Sequence, residues 1–318
     1  MYKKILSIVS VLFSVPFLVS AHVKWFAHPV KEIRPYELTD FPVIIAIIAV
    51  IVILIIGYIL EKKLKIPAWF RRIEEKWAPY VISISSIGFG LSFLIFSYNG
   101  FIFAPNLIAN GPLALLLIIT QTLAGIMILA GYYERIGGFL LVILFILGIK
   151  EYGFMEMMDT FEMLGFSLFA MIVGRPKWRI VDTEIFKEYT HKIHSYGLPL
   201  LRIGTGLNLF ILGFSEKIMS PSLTENFLSL YHWNFMHNIG FTWFTDYWFA
   251  FSAGVVEALF GLFLMLGLVT RTTTITLAVF LLSTLVMLGP VELMGHLPHF
   301  SIAIVLLLLG AGSRLKMK

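Results

Sequence analysis

The chain has 318 residues, of which 58% are hydrophobic and only 14% are charged, and its formal net charge is +5. Soluble domains are closer to half apolar and a quarter charged, so this composition predicts an integral membrane protein. The absence of cysteine excludes thiol–disulfide exchange, iron–sulfur clusters, covalently attached c-type haem and cysteine-based zinc sites. The sequence has no phosphate loop, nucleophile–histidine–acid order or dinucleotide fingerprint, and we expect no nucleic-acid partner.

The first 21 residues have the physical parts of a secretory signal. A basic start is followed by the apolar run "ILSIVSVLFSVPFL" and then by the small residues of "VSA". Cleavage after Ala21 would make His22 the first residue of the mature chain, at the start of an outside segment, 22–40. The alternative is an anchor helix that is not removed.

Nine apolar segments follow, each close to the roughly 20 residues that cross a bilayer. We predict them at about 41–60, 80–98, 112–131, 137–154, 160–174, 199–215, 246–267, 272–289 and 299–313. Lysine and arginine are concentrated in the loops that this order puts on one side, so the N-terminus is predicted outside and the C-terminus in the cytoplasm. After the first segment, "PAWFRRIEEKWAP" (67–79) predicts a short amphipathic helix on the inner surface.

Two parts of the chain repeat. "QTLAGIMILAGYYER" (121–135) aligns without gaps to "EALFGLFLMLGLVTR" (257–271) at an offset of 136, and "IGFGL" (87–91) matches "IGTGL" (203–207) at an offset of 116. The difference is an insertion in one outside loop. Both halves start on the same side of the membrane, which predicts a parallel repeat. The predicted fold class is an all-α integral membrane protein with two parallel-repeat four-helix transmembrane units and one extra N-terminal transmembrane helix.

The repeat also predicts the domain boundaries. Its glycines suit close helix approach, and we expect Arg135 and Arg271 to cap the inner ends of equivalent helices. The predicted order is a signal at 1–21, a periplasmic segment at 22–40, the extra helix with its linker at 41–79, the first unit at 80–178, a cytoplasmic linker at 179–198 and the second unit at 199–318.

The motifs "LRIGTGLNLFILGFSEKI" and "EALFGLFLMLGLVTR", followed by a polar exit before the last helix, resemble the DoxX/DoxD-like family. The resemblance covers about 199–315 well and 80–178 more weakly, so the chain looks like a tandem DoxX-like protein. It implies a four-helix bundle in the bacterial inner membrane and, in some members, association with quinone-linked oxidation of sulfur compounds. Quinone is therefore an expectation that comes from the resemblance alone.

The second unit has an acid inside a span where the first unit has a neutral residue. Glu257 lies about ten residues into its span, and its counterpart is Gln121. An ionisable residue at such a depth is a functional candidate by default, and a helix-packing residue is the alternative. Lys217, at the outer end of the preceding helix, would pair with Glu257 if their depths match. Together with Glu292 in the last outside loop, these are the predicted catalytic residues.

Six of the eight histidines fall on the predicted outer side. A free N-terminal histidine offers an α-amine and an imidazole, a chelate that one further histidine would complete as a copper site, with zinc as the alternative metal. The alternative is that these histidines make ordinary surface hydrogen bonds. The predicted metal ligands are His22, His28, His232, His237, His296 and His299.

These features predict an inner-membrane protein whose periplasmic histidine site binds copper, while Glu257 relays a proton or balances charge. The expected partners are the lipid bilayer and a periplasmic or respiratory protein. Two alternatives stay open at this point. One is a transporter of a small solute, protons or metal ions that uses Glu257, and the other is a non-catalytic membrane subunit of a larger complex.

Overall fold

The structure is a computed structural model that describes the backbone of residues 33–181 and 184–317. Within these ranges the side chains of 184–191, 238, 287–288 and 290–294 are not described. The predicted signal and most of the predicted outside segment, including His22 and His28, therefore lie outside the described residues. The side chain of Glu292 lies outside them as well.

The described chain is almost entirely helical. Its helices are α1 (Phe41–Lys63), α2 (Ala68–Tyr98), α3 (Ala114–Ala130), α4 (Glu134–Tyr152), α5 (Phe154–Met158), α6 (Phe161–Val173), α7 (Glu184–Leu212), a π-helix (Gly213–Ile218), α8 (Pro221–Tyr231), α9 (Phe235–Asn238), α10 (Asp246–Leu266), α11 (Thr270–Leu288) and α12 (Pro290–Leu309). Two short antiparallel strands, β1 (Phe101–Ile102) and β2 (Ala104–Ile108), form a hairpin between α2 and α3.

Each of the nine predicted spans falls on one of these helices. Four helical segments are long and apolar enough to cross a membrane, namely Phe41–Lys63, Ala68–Tyr98, Lys192–Ile218 and Asp246–Leu266. Shorter apolar helices accompany them at Ala114–Ala130, Phe161–Val173, Thr270–Val286 and Gly295–Leu309. The chain is thus a membrane-type protein with several apolar helices, and the number of nine crossings stays a prediction.

The prediction of a separate surface helix at 67–79 is wrong. This segment is the first part of α2, which runs unbroken from Ala68 to Tyr98 with Pro79 inside it. The segment also contacts the bundle, because Arg271 at the start of α11 donates a hydrogen bond of 2.8 Å to the carboxylate of Glu74. An amphipathic pattern gives no information about such a contact.

The long helices form two units of four. Helices α2, α3, α4 and α6 pack together, and so do α7, α10, α11 and α12. Between the units, α6 packs along α7 and α12 packs along α2. Both contacts are close, since a Cβ on Gly204 would lie 2.8 Å from the Cα of Gly165, and one on Gly88 would clash with the side chain of Ser301. Each unit therefore donates one helix to each of two interfaces.

Arginines close the helix ends at one end of the bundle. Such side chains satisfy carbonyl groups that have no partner within their own helix. Arg135 donates hydrogen bonds to the carbonyls of Met171, Ile172 and Val173 of α6, and Arg271 donates to the carbonyl of Leu308 of α12. In the same way, Arg175 donates to the carbonyls of Ile128 and Leu129 of α3, and Arg202 to those of Leu264 and Met265 of α10. The predicted capping of helix ends by Arg135 and Arg271 agrees with these contacts, while the inner position of those ends stays a prediction. We call this end the arginine end, and the opposite end, with the hairpin, α5, α8 and α9, the loop end.

Helix α1 lies outside both units and packs on α10, where Gly57 approaches the ring of Phe263. The chain before α1 is fastened at the loop end. The hydroxyl of Tyr36 donates a hydrogen bond of 2.6 Å to the carbonyl of Tyr247, and its ring packs against Phe251 with centroids 4.7 Å apart. Burial raises the pKa of Tyr36, so the phenol stays protonated and remains a donor.

Candidate functional site

Lys217 and Glu257 form an ion pair inside the second unit. The ammonium nitrogen Nζ of Lys217 lies 2.5 Å from Oε2 of Glu257, and the two side chains are 0% and 5% exposed. The depths of the two residues match, so the structure brings together the pair that the sequence left open. A buried charge pair is costly to desolvate, which makes it weak support for stability and a candidate for function.

Small residues and a π-helix place this pair. A Cβ on Gly213 would lie 2.6 Å from the carbonyl oxygen of Gly254, so only glycine lets the two backbones approach so closely. Lys217 belongs to the π-helix, and a π turn holds more residues than an α turn. The residues that follow therefore point in a different direction from those of an uninterrupted α-helix. Single π turns of this kind recur at functional sites.

Two histidines of the second unit lie close to this pair, together with one acid from the first unit. His296 and His299 are on α12 with ring centroids 5.0 Å apart, and Nε2 of His299 lies 3.0 Å from Oε2 of Glu162 on α6. His296 is 1% exposed and Glu162 is 2% exposed. The group is thus built from both units.

Glu162 was not among the residues predicted for the site. It is the one acid in the otherwise apolar helix "FEMLGFSLFAMIV", and an isolated acid in such a run is a functional signal that the sequence did contain. Its position beside His299 could not be predicted, because it depends on how the two units pack.

An apolar pocket connects these polar groups. Glu257, His296 and His299 line it together with mostly aliphatic and aromatic side chains of α7, α10, α11 and α12, among them Leu277 and Phe280. The cavity has a volume of about 70 Å³, and part of it opens at the surface. Apolar walls with a few convergent polar groups are typical of small-molecule sites.

The pocket reflects a difference between the two units. In the first unit, α4 packs along both α3 and α6. In the second unit, α11 packs along α12 but contacts α10 only over a short stretch. The pocket lies at this thin contact, since its walls include Glu257 and Leu264 of α10 and Thr274 and Leu277 of α11.

The first unit uses the position equivalent to Glu257 for a structural purpose. The side-chain oxygen of Gln121 accepts a hydrogen bond of 2.9 Å from the backbone N–H of Phe103, and its amide nitrogen donates to the carbonyl of Phe101 and the hydroxyl of Ser97. These hydrogen bonds attach the β-hairpin to α3. The charge pair therefore distinguishes the second unit from the first.

Asn208 of α7 is a further polar group in this unit. Its side chain is fully buried, and among the described residues neither Oδ1 nor Nδ2 has a hydrogen-bond partner. Thr205 and Leu209 of the same helix line the pocket. Because buried amides are nearly always hydrogen-bonded, Asn208 is a candidate contact for a ligand of this unit.

The other predicted metal ligands do not join His296 and His299. His232 ends α8 and is exposed, while His237 is exposed on α9 with Nε2 3.3 Å from the amide nitrogen of Asn234. In the described part of the chain, no group of three or more histidine, aspartate or glutamate side chains could hold a metal ion. His22 and His28 lie outside that part.

Residues 197–290 match the DoxX family model. The matched segment includes Lys217, Glu257 and the glycines that bring their helices together, and it ends at the first residue of α12. The resemblance to DoxX is thus confirmed for this segment, and with the apolar helices it indicates an integral membrane protein in contact with the lipid bilayer. No curated protein and no solved structure matches the chain.

Proposed function

We propose that the second unit binds a small amphipathic molecule of the quinone class and exchanges protons with it. The observation that carries this proposal is the buried Lys217–Glu257 pair at the polar side of an apolar pocket. A charge pair fixed in place but next to unfilled space can bind a polar head group, whereas a purely structural pair would be covered on all sides.

The residues suit such a ligand. Leu277 and Phe280 offer apolar contact to a ring and an isoprenoid tail, and the thin α10–α11 contact offers an entrance from the bilayer. Carbonyl or hydroxyl oxygens on the ring would need donors and acceptors, which Glu257, His296 and His299 of the pocket wall supply. A bound quinol supplies two electrons and two protons when it is oxidised.

The protein's own part would be to accept and move the protons. Glu257, His296 and His299 line one pocket, and Nε2 of His299 lies 3.0 Å from the carboxylate of Glu162 on α6, so ionisable groups extend from the second unit to the first. Each can take up and release a proton, with Lys217 balancing the negative charge of Glu257. The electrons would pass to the periplasmic or respiratory partner that the sequence predicts.

We also propose the tandem repeat in a bacterial inner membrane with the arginine end in the cytoplasm. Support for the repeat comes from matched helix ends, because α4 and α11 begin and end at the same offset of 136 (270 − 134 and 288 − 152). Gly131 and Gly267, which end α3 and α10, share a positive φ and the same offset. The concentration of basic loops at the arginine end supports the orientation.

Decylubiquinone would test the proposed function in detergent solution. We expect it to raise the melting temperature of the protein, because a ligand that binds only the folded state stabilises it. Leu277→Trp should abolish this rise by filling the pocket. Leu282→Trp, the same change on the exposed side of α11, is the matched control and should behave like the unchanged protein. A rise that survives Leu277→Trp would reject the pocket as the binding site.

Copper binding is a second proposal, favoured by the closeness of His296 and His299. The described residues alone do not form a metal site, so a complete site would need His22 or His28. Metal content and N-terminal mass should be measured on protein from copper-supplemented cells. A chain that begins at His22 with about one copper, lost in His296→Ala, would support the site. A chain that carries no copper would reject it.

Transport of a small solute, protons or metal ions, and a non-catalytic role in a larger complex, are the remaining proposals. Flux into proteoliposomes that stops in Glu257→Gln and needs no quinone would favour a transporter. Stable co-purification with another protein, unchanged by Glu257→Gln or His296→Ala, would favour the subunit role.

A further inference from the structure

A second pocket lies at the arginine end and shares no lining residue with the proposed quinone site. It is formed where α1 is linked to α2, where α11 begins and where α12 ends. Its volume is about 510 Å³, and part of it is open to the surface. Nothing in the proposed function uses this pocket.

Basic side chains line the pocket from three separate parts of the chain. Lys65 and Arg71 come from the α1–α2 region, Arg271 from α11 and Lys316 from the segment after α12. The acid in the lining, Glu61, is already engaged, since it accepts a hydrogen bond of 2.9 Å from the backbone N–H of Val269. The local charge therefore favours an anion.

The N-terminus of α11 points its backbone donors at the same place. Thr270, Arg271 and Thr272 are its first residues and all line the pocket. The first N–H groups of a helix have no acceptor within the helix, and together with the helix dipole they attract phosphate and similar anions. The donor just before them, the N–H of Val269, is occupied by Glu61.

Two buried side-chain donors are left without a partner here. Thr270 is 3% exposed, and its hydroxyl has no hydrogen-bond partner among the described residues. The same holds for Nε of Arg271, although Nη2 of this residue contacts Glu74 and the carbonyl of Leu308. Buried donors are rarely left unpaired, so an acceptor that belongs to a ligand would account for both.

We propose that this pocket binds a phosphate group, held by the basic side chains, the first N–H groups of α11 and the hydroxyl of Thr270. The group would belong either to an anionic phospholipid or to free phosphate. Leu64, Ile66 and Trp69 are exposed beside the pocket and offer contacts to lipid chains. Basic pockets between helices at the membrane surface are known binding places for anionic lipid head groups.

Nanodiscs of phosphatidylcholine with added phosphatidylglycerol provide the test. Bound phosphatidylglycerol is counted by native mass spectrometry after release from the nanodisc. The variant with Lys65→Gln and Arg71→Gln should retain roughly tenfold less of this lipid, because both side chains line the pocket and are exposed enough to leave the fold intact. The matched control is Lys63→Gln with Arg72→Gln, which removes the same charge from neighbouring positions outside the pocket and should change little.

Thr270→Val separates a ligand contact from a structural one. The valine replaces a hydroxyl that has no protein partner, so the melting temperature in pure phosphatidylcholine should not fall, while retention of phosphatidylglycerol should fall. Thr273→Val is the control, since the hydroxyl of Thr273 donates to the carbonyl of Val269 and does not line the pocket. This variant should leave the retention of phosphatidylglycerol unchanged.

The source of the phosphate follows from a parallel measurement with inorganic phosphate in nanodiscs of phosphatidylcholine alone. Selective retention of phosphatidylglycerol would identify a lipid, and a rise in melting temperature with inorganic phosphate alone would identify free phosphate. Equal losses in the variant and its control would show attraction by surface charge only and would overturn the site. Binding of neither probe would overturn it too.

Discussion

At the scale of single residues, the second unit differs from the first by a charge pair where the first has an amide. Gln121 satisfies the backbone of a hairpin, whereas Glu257 is bonded to Lys217 with both side chains buried. Replacing a buried ion pair by neutral residues is often harmless, but removing one partner leaves an uncompensated charge in an apolar place. The pair therefore has a stability signature that can be measured apart from any ligand.

Glu257→Gln should lower the free energy of unfolding by about 3 kcal/mol, because the ammonium of Lys217 loses its counter-charge while it stays buried. The double variant Lys217→Met with Glu257→Gln should recover most of this loss, since no charge is then left in the interior. Unfolding by dodecyl sulfate in mixed micelles, followed by circular dichroism, measures both.

Glu75→Gln, a similar change at an exposed position of α2, is the control for the loss of a carboxylate. A double variant as unstable as Glu257→Gln alone would contradict the assignment of the loss to the unpaired lysine. If the double variant is stable but decylubiquinone no longer raises its melting temperature, the pair serves the ligand rather than the fold.

The sequence could predict these residues only in part. Glu257 stands out because an acid interrupts an apolar run, and the repeat shows that its counterpart is neutral. The partner atoms could not be predicted, since Lys217 lies in a π-helix, and no local pattern indicates the extra residue in that turn. Glu162 became a site residue only through packing between the units.

At the scale of elements, glycine sets how closely α7 and α10 approach. A Cβ on Gly206 would lie 2.6 Å from the carbonyl oxygen of Gly261 and 2.8 Å from the backbone nitrogen of Met265. These are backbone atoms, which cannot swing aside as a side chain would. In membranes such small-residue contacts replace the hydrophobic effect as the reason for helix association.

Gly206→Val should therefore lower the free energy of unfolding by about 2 kcal/mol or more, because the two helices must separate to admit the side chain. The same dodecyl sulfate titration measures it. In Gly111→Val the added atoms meet only the carboxylate end of Glu151, which can move away, so this control should cost much less. Similar losses in the two variants would argue against a tight α7–α10 contact.

Helix positions were predictable from the sequence, but helix continuity was not. All nine apolar segments coincide with helices because about 20 apolar residues in a row have few other conformations in a membrane. The segment 67–79 was predicted as a separate helix, yet it is the first part of α2. Its Glu74 bonds to Arg271 of α11, a tertiary contact that an amphipathic pattern does not indicate. The hairpin of β1 and β2 was also missed, since its strands are too short to show a periodic pattern.

At the scale of the whole molecule, the two interfaces between the units are built alike. Gly88 lies against Ser301 where α2 meets α12, and Gly204 lies against Gly165 where α6 meets α7. These positions agree with the proposed repeat, because 204 − 88 is 116 and 301 − 165 is 136. Each unit thus contributes one helix to each interface, and the interface helices of one unit are covered only by those of the other.

The chain should for this reason tolerate a cut between the units as long as both parts are present. Residues 1–181 and 184–318, expressed together as separate chains, should assemble and co-purify, whereas either part alone should aggregate with its interface helices uncovered. A tag on one fragment and a stoichiometric yield of the other measure the assembly. Recovery of stable single fragments would contradict the mutual dependence of the units.

The absence of cysteine makes the register of the assembled fragments directly testable. A Cβ at position 88 would lie 3.2 Å from that of Ser301, near the separation of about 3.8 Å typical of a disulfide. Gly88→Cys with Ser301→Cys should therefore join the two fragments under oxidising conditions. Tyr98→Cys with Ser301→Cys is the control, because Tyr98 is exposed at the far end of α2, about 15 Å along the helix from Gly88, and it should give no covalent product. Cross-linking in the control alone would mean that α2 and α12 pack in a different register.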